Sequence, residues 1–464
     1  MTLALDRAST WSAFQAELDG IPLVTDPTQV AKLSQDWSIF SPILTAKLAQ
    51  KRADLVVCPT HLEQVLRLAK ACVKHRIPIT PRGTGTGNYG QAVPLYGGIV
   101  LDLSRMQQIC WVKPGSARVE AGVKPLTLDK KAKEMGWEMR MIPSTFRTAT
   151  LGGFVTGGSG GIGGIQFSGL AARGNVLAVQ VVTLEDEPQV VELRGDALRG
   201  VNHGWGLNGI VTEVELPLAP AYPWAEWIVS FAEFESLMRF SQALAGSDGI
   251  VKKLISCHAW PIPSYFTALK SSIPEGSHCV LVMVAEPSLE PLQELVNEWG
   301  GQVCYRKTPQ EASKGLTLAE FAINHTTLHA RAANPNLTYI AARFPRGEAG
   351  IQAAVQVHEQ FQRPEGPEVM LHIEFFRGNG TAGFSSLELV EFSTPERLEE
   401  IKAYQRTLGI TFSNNHSHYI EDGMRASVQD VLDLKRWMDP YGLMNPGKTR
   451  LADPCGFGPL SGED

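Results

Sequence analysis

The sequence predicts an α+β protein of two to three domains, and three observations carry that expectation. A strand, a helix and a second strand feed an alternating glycine loop at 81–90, and a further glycine-rich stretch at 150–164 lies among short apolar strands. From residue 221 onward, two strand-helix-strand blocks of similar length follow, the pattern of an antiparallel sheet with helices on one face. At 464 residues the chain exceeds what a single hydrophobic core holds, and 44% hydrophobic with 19% charged residues is ordinary globular composition.

Charge and composition narrow the partners. A net charge of -6 and a pI near 6.0 supply no basic field for phosphate backbones, so nucleic acid is not expected as a partner. No apolar run approaches the roughly 18 residues of a membrane span. Residues 1–20 lack a signal-peptide core and read as an amphipathic helix around Trp11, Phe14 and Leu18. The seven cysteines (Cys58, Cys72, Cys110, Cys257, Cys279, Cys304 and Cys455) are odd in number and contain no Cys-x-x-Cys pair. They read as reduced thiols of a cytoplasmic protein.

In the first unit, Asp54 to Pro59 reads as extended, Thr60-x-x-Glu63 as a capping box, and Leu62, Val65, Leu66, Ala69 and Val73 as one helical face. Ile77 to Thr80 then delivers the chain into Pro81, Arg82, Gly83, Thr84, Gly85, Thr86, Gly87, Asn88, Tyr89 and Gly90. Alternating glycines leave backbone N–H groups free to converge on an anion, as a phosphate cradle requires. A Walker A loop is excluded because no lysine follows the glycines. Gly85-x-Gly87-x-x-Gly90 matches the letters of a Rossmann fingerprint, and Asp102 ends a strand downstream, but Pro94, Gly97 and Gly98 break the helix that fingerprint must open.

In the second unit, Val119 to Gly122 opens a strand and Leu126 to Gly136 reads as a helix. Pro143-Ser144-Thr145, Thr150-Leu151-Gly152-Gly153 and the glycine run 157–164 follow, and Gly209-Ile210-Val211 begins a closing strand to Glu215. The glycine run is either a mobile loop or a surface that a planar ligand approaches closely. Beyond a boundary at 221–227, helices are expected at 231–244, 289–299, 318–331 and 350–361. Strands are expected at 250–258, 279–286, 302–307, 338–344, 369–376 and 384–392.

Taken in order, the loop at 81–90, the stretch 143–164, the strand 209–215 and the tag Asp439-Pro-Tyr-Gly-Leu-Met-Asn445-Pro-Gly-Lys448 resemble the vanillyl-alcohol oxidase and p-cresol methylhydroxylase family. Within it, they are most similar to the D-2-hydroxyacid (D-lactate, glycolate) dehydrogenase branch. The resemblance implies a two-subdomain PCMH-type FAD-binding fold over 1–220, split near 110, with an α+β antiparallel-sheet substrate cap over 221–408. Residues 409–464 would then return to the FAD domain. It implies that FAD lies on the loop from Pro81 to Gly90 and on Pro143, Ser144, Thr150, Leu151, Gly152, Gly153, Gly157, Gly160, Gly161, Gly209, Ile210, Val211 and Asn445. Family members with covalent FAD often carry a histidine in or near that loop; no histidine lies between 76 and 202, so noncovalent FAD is expected.

The same resemblance places His416 where the branch has the histidine of Glu-His-Gly, with Asn415 at the glutamate. The branch's Gly-His-x-Gly-Asp-Gly-Asn-x-His metal motif has only a faint echo at His372 to Gly380, and no metal is expected. His416 and His418 are candidates for moving a proton, although a hydrogen-bonded core histidine is an equal reading of His418. In the cap, His325 and His329 stand a helical turn apart without the glutamate of a zincin, and His325 and Tyr339 are candidates to line a pocket. Arg331, Arg343 and Arg377 are candidates to hold a carboxylate, with surface ion pairs as the plainer reading. The expected function is FAD-dependent oxidation of an alcohol carbon, foremost of a D-2-hydroxy acid, by hydride transfer to flavin N5. Sugar or aromatic alcohols are the alternative substrates, and a non-catalytic FAD-binding subunit is the alternative role. Small-molecule substrates and an unidentified electron acceptor are the expected partners, with a homodimer left open.

Overall fold

The computed structural model describes residues 10–158, 160–423 and 428–450. Its first unit is a four-stranded sheet of β1 (Leu23–Val24), β2 (Leu55–Val57), β3 (Ile79–Arg82) and β4 (Ile99–Asp102), ordered β1-β2-β4-β3. Strands β2, β4 and β3 are parallel and β1 is antiparallel. Helix Leu62–His75 covers this sheet, and its Val65, Leu68, Cys72 and Val73 pack with Leu55, Val57, Ile79 and Leu101. Burying each such side chain contributes about 1.5 to 3 kcal/mol before chain entropy is charged against it. The expected capping box does not form. His61, in extended conformation, is the N-cap, and Gln64 Oε1 accepts the Thr60 N–H at 2.8 Å, so the helix starts one residue too late for Glu63 to reach back. Phe14 and Leu18 sit in the same core; residues 1–9 and Cys455 lie outside the described residues.

The second unit contains β5 (Ile109–Lys113), β6 (Ser116–Glu120), β7 (Trp137–Met139), β8 (Ala178–Val182), β9 (Val190–Arg194) and β10 (Ile210–Pro220), all antiparallel. The order is β5-β6-β10-β8-β9, with β7 also on β10. Val119 to Gly122 closes β6 rather than opening a strand, because at Gly122 the backbone passes so close to the Leu103 carbonyl that a Cβ would lie 2.3 Å from it. The glycine stretch is not a loop throughout: Leu151–Gly157 is helical, with the Thr150 hydroxyl accepting the Gly153 N–H at 3.3 Å.

The third unit is a nine-stranded antiparallel sheet. Its strands are β11 (Trp224–Phe231), β12 (Lys252–His258), β13 (His278–Ala285), β14 (Gln302–Lys307), β15 (Leu337–Arg343), β16 (Val369–Met370), β17 (His372–Gly378), β18 (Thr381–Glu391) and β19 (Thr411–Ser413). The order is β14-β11-β13-β12-β17-β18-β15-β19, with β16 on β18. The α+β class and the antiparallel sheet agree with expectation, but helices on one face only do not. Phe234–Gly246, Leu289–Glu298, Glu348–Gln360 and Pro395–Thr407 pack on one face, while Asn324–Ala333 packs on the other, in a cluster that includes Phe40 and Phe146. That second face therefore looks onto the first two units. The helix expected over 318–331 is broken at Ile323, whose φ of 53° interrupts it before Asn324.

The tag at 439–448 lies against β3. Ile79 donates to the Leu443 carbonyl at 2.8 Å, and Asn445 N–H donates back to the Ile79 carbonyl at 2.6 Å. Among the described residues no helix is long and apolar enough to cross a membrane, and the six cysteines are free.

Candidate functional site

A cavity of about 410 Å³ opens where the three units meet. Its floor is the glycine loop after β3. Loop residues Pro81 to Asn88 all line it, together with Pro143, Ser144, Thr150, Gly152, Gly153, Gly157, Gly209 and Val211. The loop has the properties an anion cradle needs. The backbone N–H groups from Thr84 to Asn88 make no hydrogen bond to described residues, and the Thr84 hydroxyl is buried without a partner. Gly83 cannot be replaced silently, since a Cβ there would lie 2.0 Å from Thr150 Oγ1, and Gly85 adopts φ +73°.

The loop is braced from behind. Arg82 turns under it, donating to the carbonyls of Gln35 (2.9 Å) and Thr84 (3.0 Å) and to that of Leu33. Lys448, fully buried, donates to the Gly90 carbonyl at 2.5 Å, and burial pulls its pKa down to about 7. Asn445 Nδ2 holds the carbonyls of Gln91 (2.8 Å) and Trp205 (2.7 Å). Gly90, Leu151, Gly160, Gly161, Ile210 and Asn445 thus stand off the cavity wall, and Leu151 and Ile210 do so because their side chains are buried in the core.

The third unit supplies the opposite wall through Glu320, Ile323, Asn324, His325 and Leu328, and the 3-10 turn Trp37–Phe40 adds Trp37 and Phe40. His325 Nδ1 lies 3.3 Å from the Glu320 carbonyl. That oxygen can only accept, so Nδ1 carries the proton and Nε2 is left as an acceptor. Burial, and then neighbouring His329, lower the His325 pKa, so the ring is neutral near pH 7. His329 Nε2 binds the same carbonyl at 3.0 Å while its ring stacks on Phe321. The pair therefore converges on a carbonyl oxygen.

The other chemistry-bearing candidates stand elsewhere. Tyr339 is fully buried behind the loop and accepts from Asn88 Nδ2 at 2.7 Å. His416 lies a layer further back, with its ring centroid 6.3 Å from that of Tyr339 and Nδ1 2.8 Å from Ser41 Oγ. Burial, with a smaller push from Lys402, takes its pKa down to about 4. His418 is buried against Tyr419 and beside Gly90. Neither histidine lines the cavity. Arg377 pairs with Asp248 at 2.6 Å, Arg331 donates to the Leu337 carbonyl, and Arg343 is exposed at the end of β15.

Sequence reasoning missed Arg147 and Glu320, which meet across the cavity mouth with Arg147 Nε 2.8 Å from Glu320 Oε1. The available signal was position, since Arg147 sits between the Pro-Ser-Thr and Thr-Leu-Gly-Gly motifs. Among the described residues no group of three or more histidine, cysteine, aspartate or glutamate side chains could hold a metal ion.

Comparison with known proteins agrees with this geometry. Residues 53–191 match the FAD binding domain family. The glycolate oxidase subunit GlcD of Escherichia coli (strain K12) is 29% identical over 259 residues, 53% of this chain and 49% of that one, so the chain spans about half the length of that relative. GlcD of Bacillus subtilis (strain 168) is 23% identical over 87% of this chain and 90% of its own. A D-lactate dehydrogenase of Anaerostipes hadrus is 29% identical over 36% of this chain and 35% of its own. Among solved structures, an alkyldihydroxyacetonephosphate synthase superposes with a TM-score of 0.71 at 17% identity, covering 94% of this chain and 85% of that one. A Physcomitrella patens BBE-like 1 variant superposes with a TM-score of 0.65 at 13% identity, covering 93% and 97%. These two speak to the fold alone. Residues 53–191, which carry the glycine cradle, thus form an FAD binding domain, in a chain similar to glycolate oxidase subunits and a D-lactate dehydrogenase.

Proposed function

We propose that the protein oxidises the alcohol carbon of a D-2-hydroxy acid in this cavity. The observation that carries the reading is His325, a neutral imidazole on the cavity wall whose Nδ1 is committed to the Glu320 carbonyl. FAD, when bound, would supply the two-electron acceptor for the carbinol hydride. His325 Nε2 takes the hydroxyl proton. Thr84 and the amides of the glycine loop would hold the diphosphate, and the apolar side chains of Phe40 and Leu328 on the cavity wall would help to exclude water. In this reading His416 and Tyr339 brace the loop from behind. The relatives named as glycolate oxidase subunit and D-lactate dehydrogenase support a small hydroxy acid. Free cysteines support a reducing compartment such as the cytoplasm.

A second reading, a neutral sugar or aromatic alcohol, has one observation in its favour: the Arg147 charge at the mouth is already matched by Glu320. Anaerobic bleaching of the flavin by D-2-hydroxy acids, sugars and aromatic alcohols separates the two. His325→Ala should slow bleaching by about 10²- to 10⁴-fold, the usual contribution of a positioned base. His416→Ala should cost less than about tenfold on the same scale. Equal effects of the two, or bleaching by no hydroxy acid, would overturn the assignment.

A further inference from the structure

The two cations on the cavity wall differ in what they have left to offer. Arg82 is spent on the carbonyls of Leu33, Gln35 and Thr84 beneath the loop. Arg147 stands at the mouth with its guanidinium directed across the gap between the FAD domain and the cap. It holds the Glu320 carboxylate in a two-point fork, Nε to Oε1 at 2.8 Å and Nη2 to Oε2 at 3.3 Å, and donates to the Gly315 carbonyl at 2.6 Å. A guanidinium fork that accepts one carboxylate accepts another of the same shape.

We propose that Glu320 is a built-in competitor for Arg147, and that an anionic substrate binds by displacing the Glu320 carboxylate from this fork. This makes the pair the determinant of substrate charge, and it rests on the reading of the cavity as the oxidation site. The energetics permit the exchange. The Arg147 side chain is 42% exposed, and exposed ion pairs are worth only about 0.2 to 1 kcal/mol, so a carboxylate arriving with further contacts of its own outcompetes the internal one. Glu320 also has somewhere to go, because Oε2 caps the Thr317 N–H at 3.1 Å in a capping box that does not need Arg147. The Glu320 carbonyl meanwhile holds His325, so the residue that senses substrate charge is the one that sets the tautomer of the base.

The test uses FAD-loaded protein and two non-oxidisable probes, oxalate and its neutral analogue oxamide, titrated by perturbation of the flavin absorbance. Glu320→Gln keeps the capping acceptor while removing the competing charge, so it should tighten oxalate by about three- to tenfold. Arg147→Gln should weaken oxalate by about tenfold or more, and Arg147→Lys, which keeps charge without the fork, should fall between. Oxamide should respond to none of the three. Unchanged or weaker oxalate binding in Glu320→Gln, or a parallel shift for oxamide, overturns the proposal. Because oxalate binding needs no turnover, these outcomes are readable even if no hydroxy acid bleaches the flavin. Unchanged oxalate affinity alongside intact hydroxy-acid bleaching sinks this inference and leaves the proposed function standing.

Discussion

The Glu374 carboxylate on β17 accepts the backbone N–H of Ile323 at 2.7 Å, joining the middle of the cap sheet to the cavity wall. The same oxygen takes Ser256 Oγ at 2.8 Å and His372 Nε2 at 2.7 Å. Ile323 needs this hold. Its φ of 53° is a conformation a β-branched residue resists by about 1 to 3 kcal/mol, and it is the N-cap of the helix that carries Asn324 and His325.

Glu374 should therefore position the base without touching the substrate. Glu374→Leu leaves the part-buried Ile323 amide without its acceptor and takes one partner from the Ser256 hydroxyl and from His372 Nε2, which should cost on the order of 2 kcal/mol of stability. Glu374→Gln retains an acceptor for the amide and should recover most of both stability and flavin reduction rate. A Glu374→Gln variant as slow as Glu374→Leu would mean that the negative charge, not the hold on Ile323, is what matters.

Particular residues show how much of this was legible in sequence. The glycine loop was readable because close approach and positive φ restrict residue choice, as Gly83 and Gly85 demonstrate. The break at Ile323 was not, because its cause is a carboxylate fifty-one positions away across a sheet, and local periodicity carries no trace of it. Strand β11 was missed for a related reason. All eight of its residues are buried, so the alternation that marks a half-exposed strand is absent. His416 was placed by a motif, yet only tertiary packing reveals that Ser41 and Tyr339 enclose it a layer behind the cavity.

The loop itself can be tested by contrast between glycines. Gly85→Val places a branched side chain at φ +73°, with its Cβ 2.2 Å from Arg82 Nη2, and FAD occupancy after purification should collapse while the cap stays folded. Gly160→Ala, where nothing lies within 4 Å of the new Cβ, should retain full occupancy. Retained flavin in Gly85→Val would place the diphosphate elsewhere.

Flavin attachment gives a simpler measurement. No histidine lies between 76 and 202, so the glycine loop offers no imidazole for a covalent bond. Acid precipitation should leave a colourless pellet and a yellow supernatant whose mass corresponds to FAD. A yellow pellet would point to a tether, and His325 would then be the cavity-lining side chain to examine by peptide mapping.

The pH dependence of stability reports on His416. Its folded pKa is lowered to about 4, chiefly by burial, from an ordinary value of 6.5. Between these two values the unfolded chain binds a proton that the folded chain does not, so stability is full above pH 6.5 and falls as the pH drops toward 4. At about 1.36 kcal/mol per pH unit the loss amounts to roughly 3 kcal/mol. His416→Gln keeps a polar group near Ser41 Oγ but cannot titrate, so it should be less stable than the wild type at pH 7.5, with the gap shrinking by roughly that amount on acidification to pH 4. His278, also lowered to about 4, titrates equally in both proteins and cancels in the comparison. Denaturant titrations at pH 7.5, 6, 5 and 4 measure the gap directly, and a gap independent of pH would show that His416 titrates alike in the folded and unfolded chain.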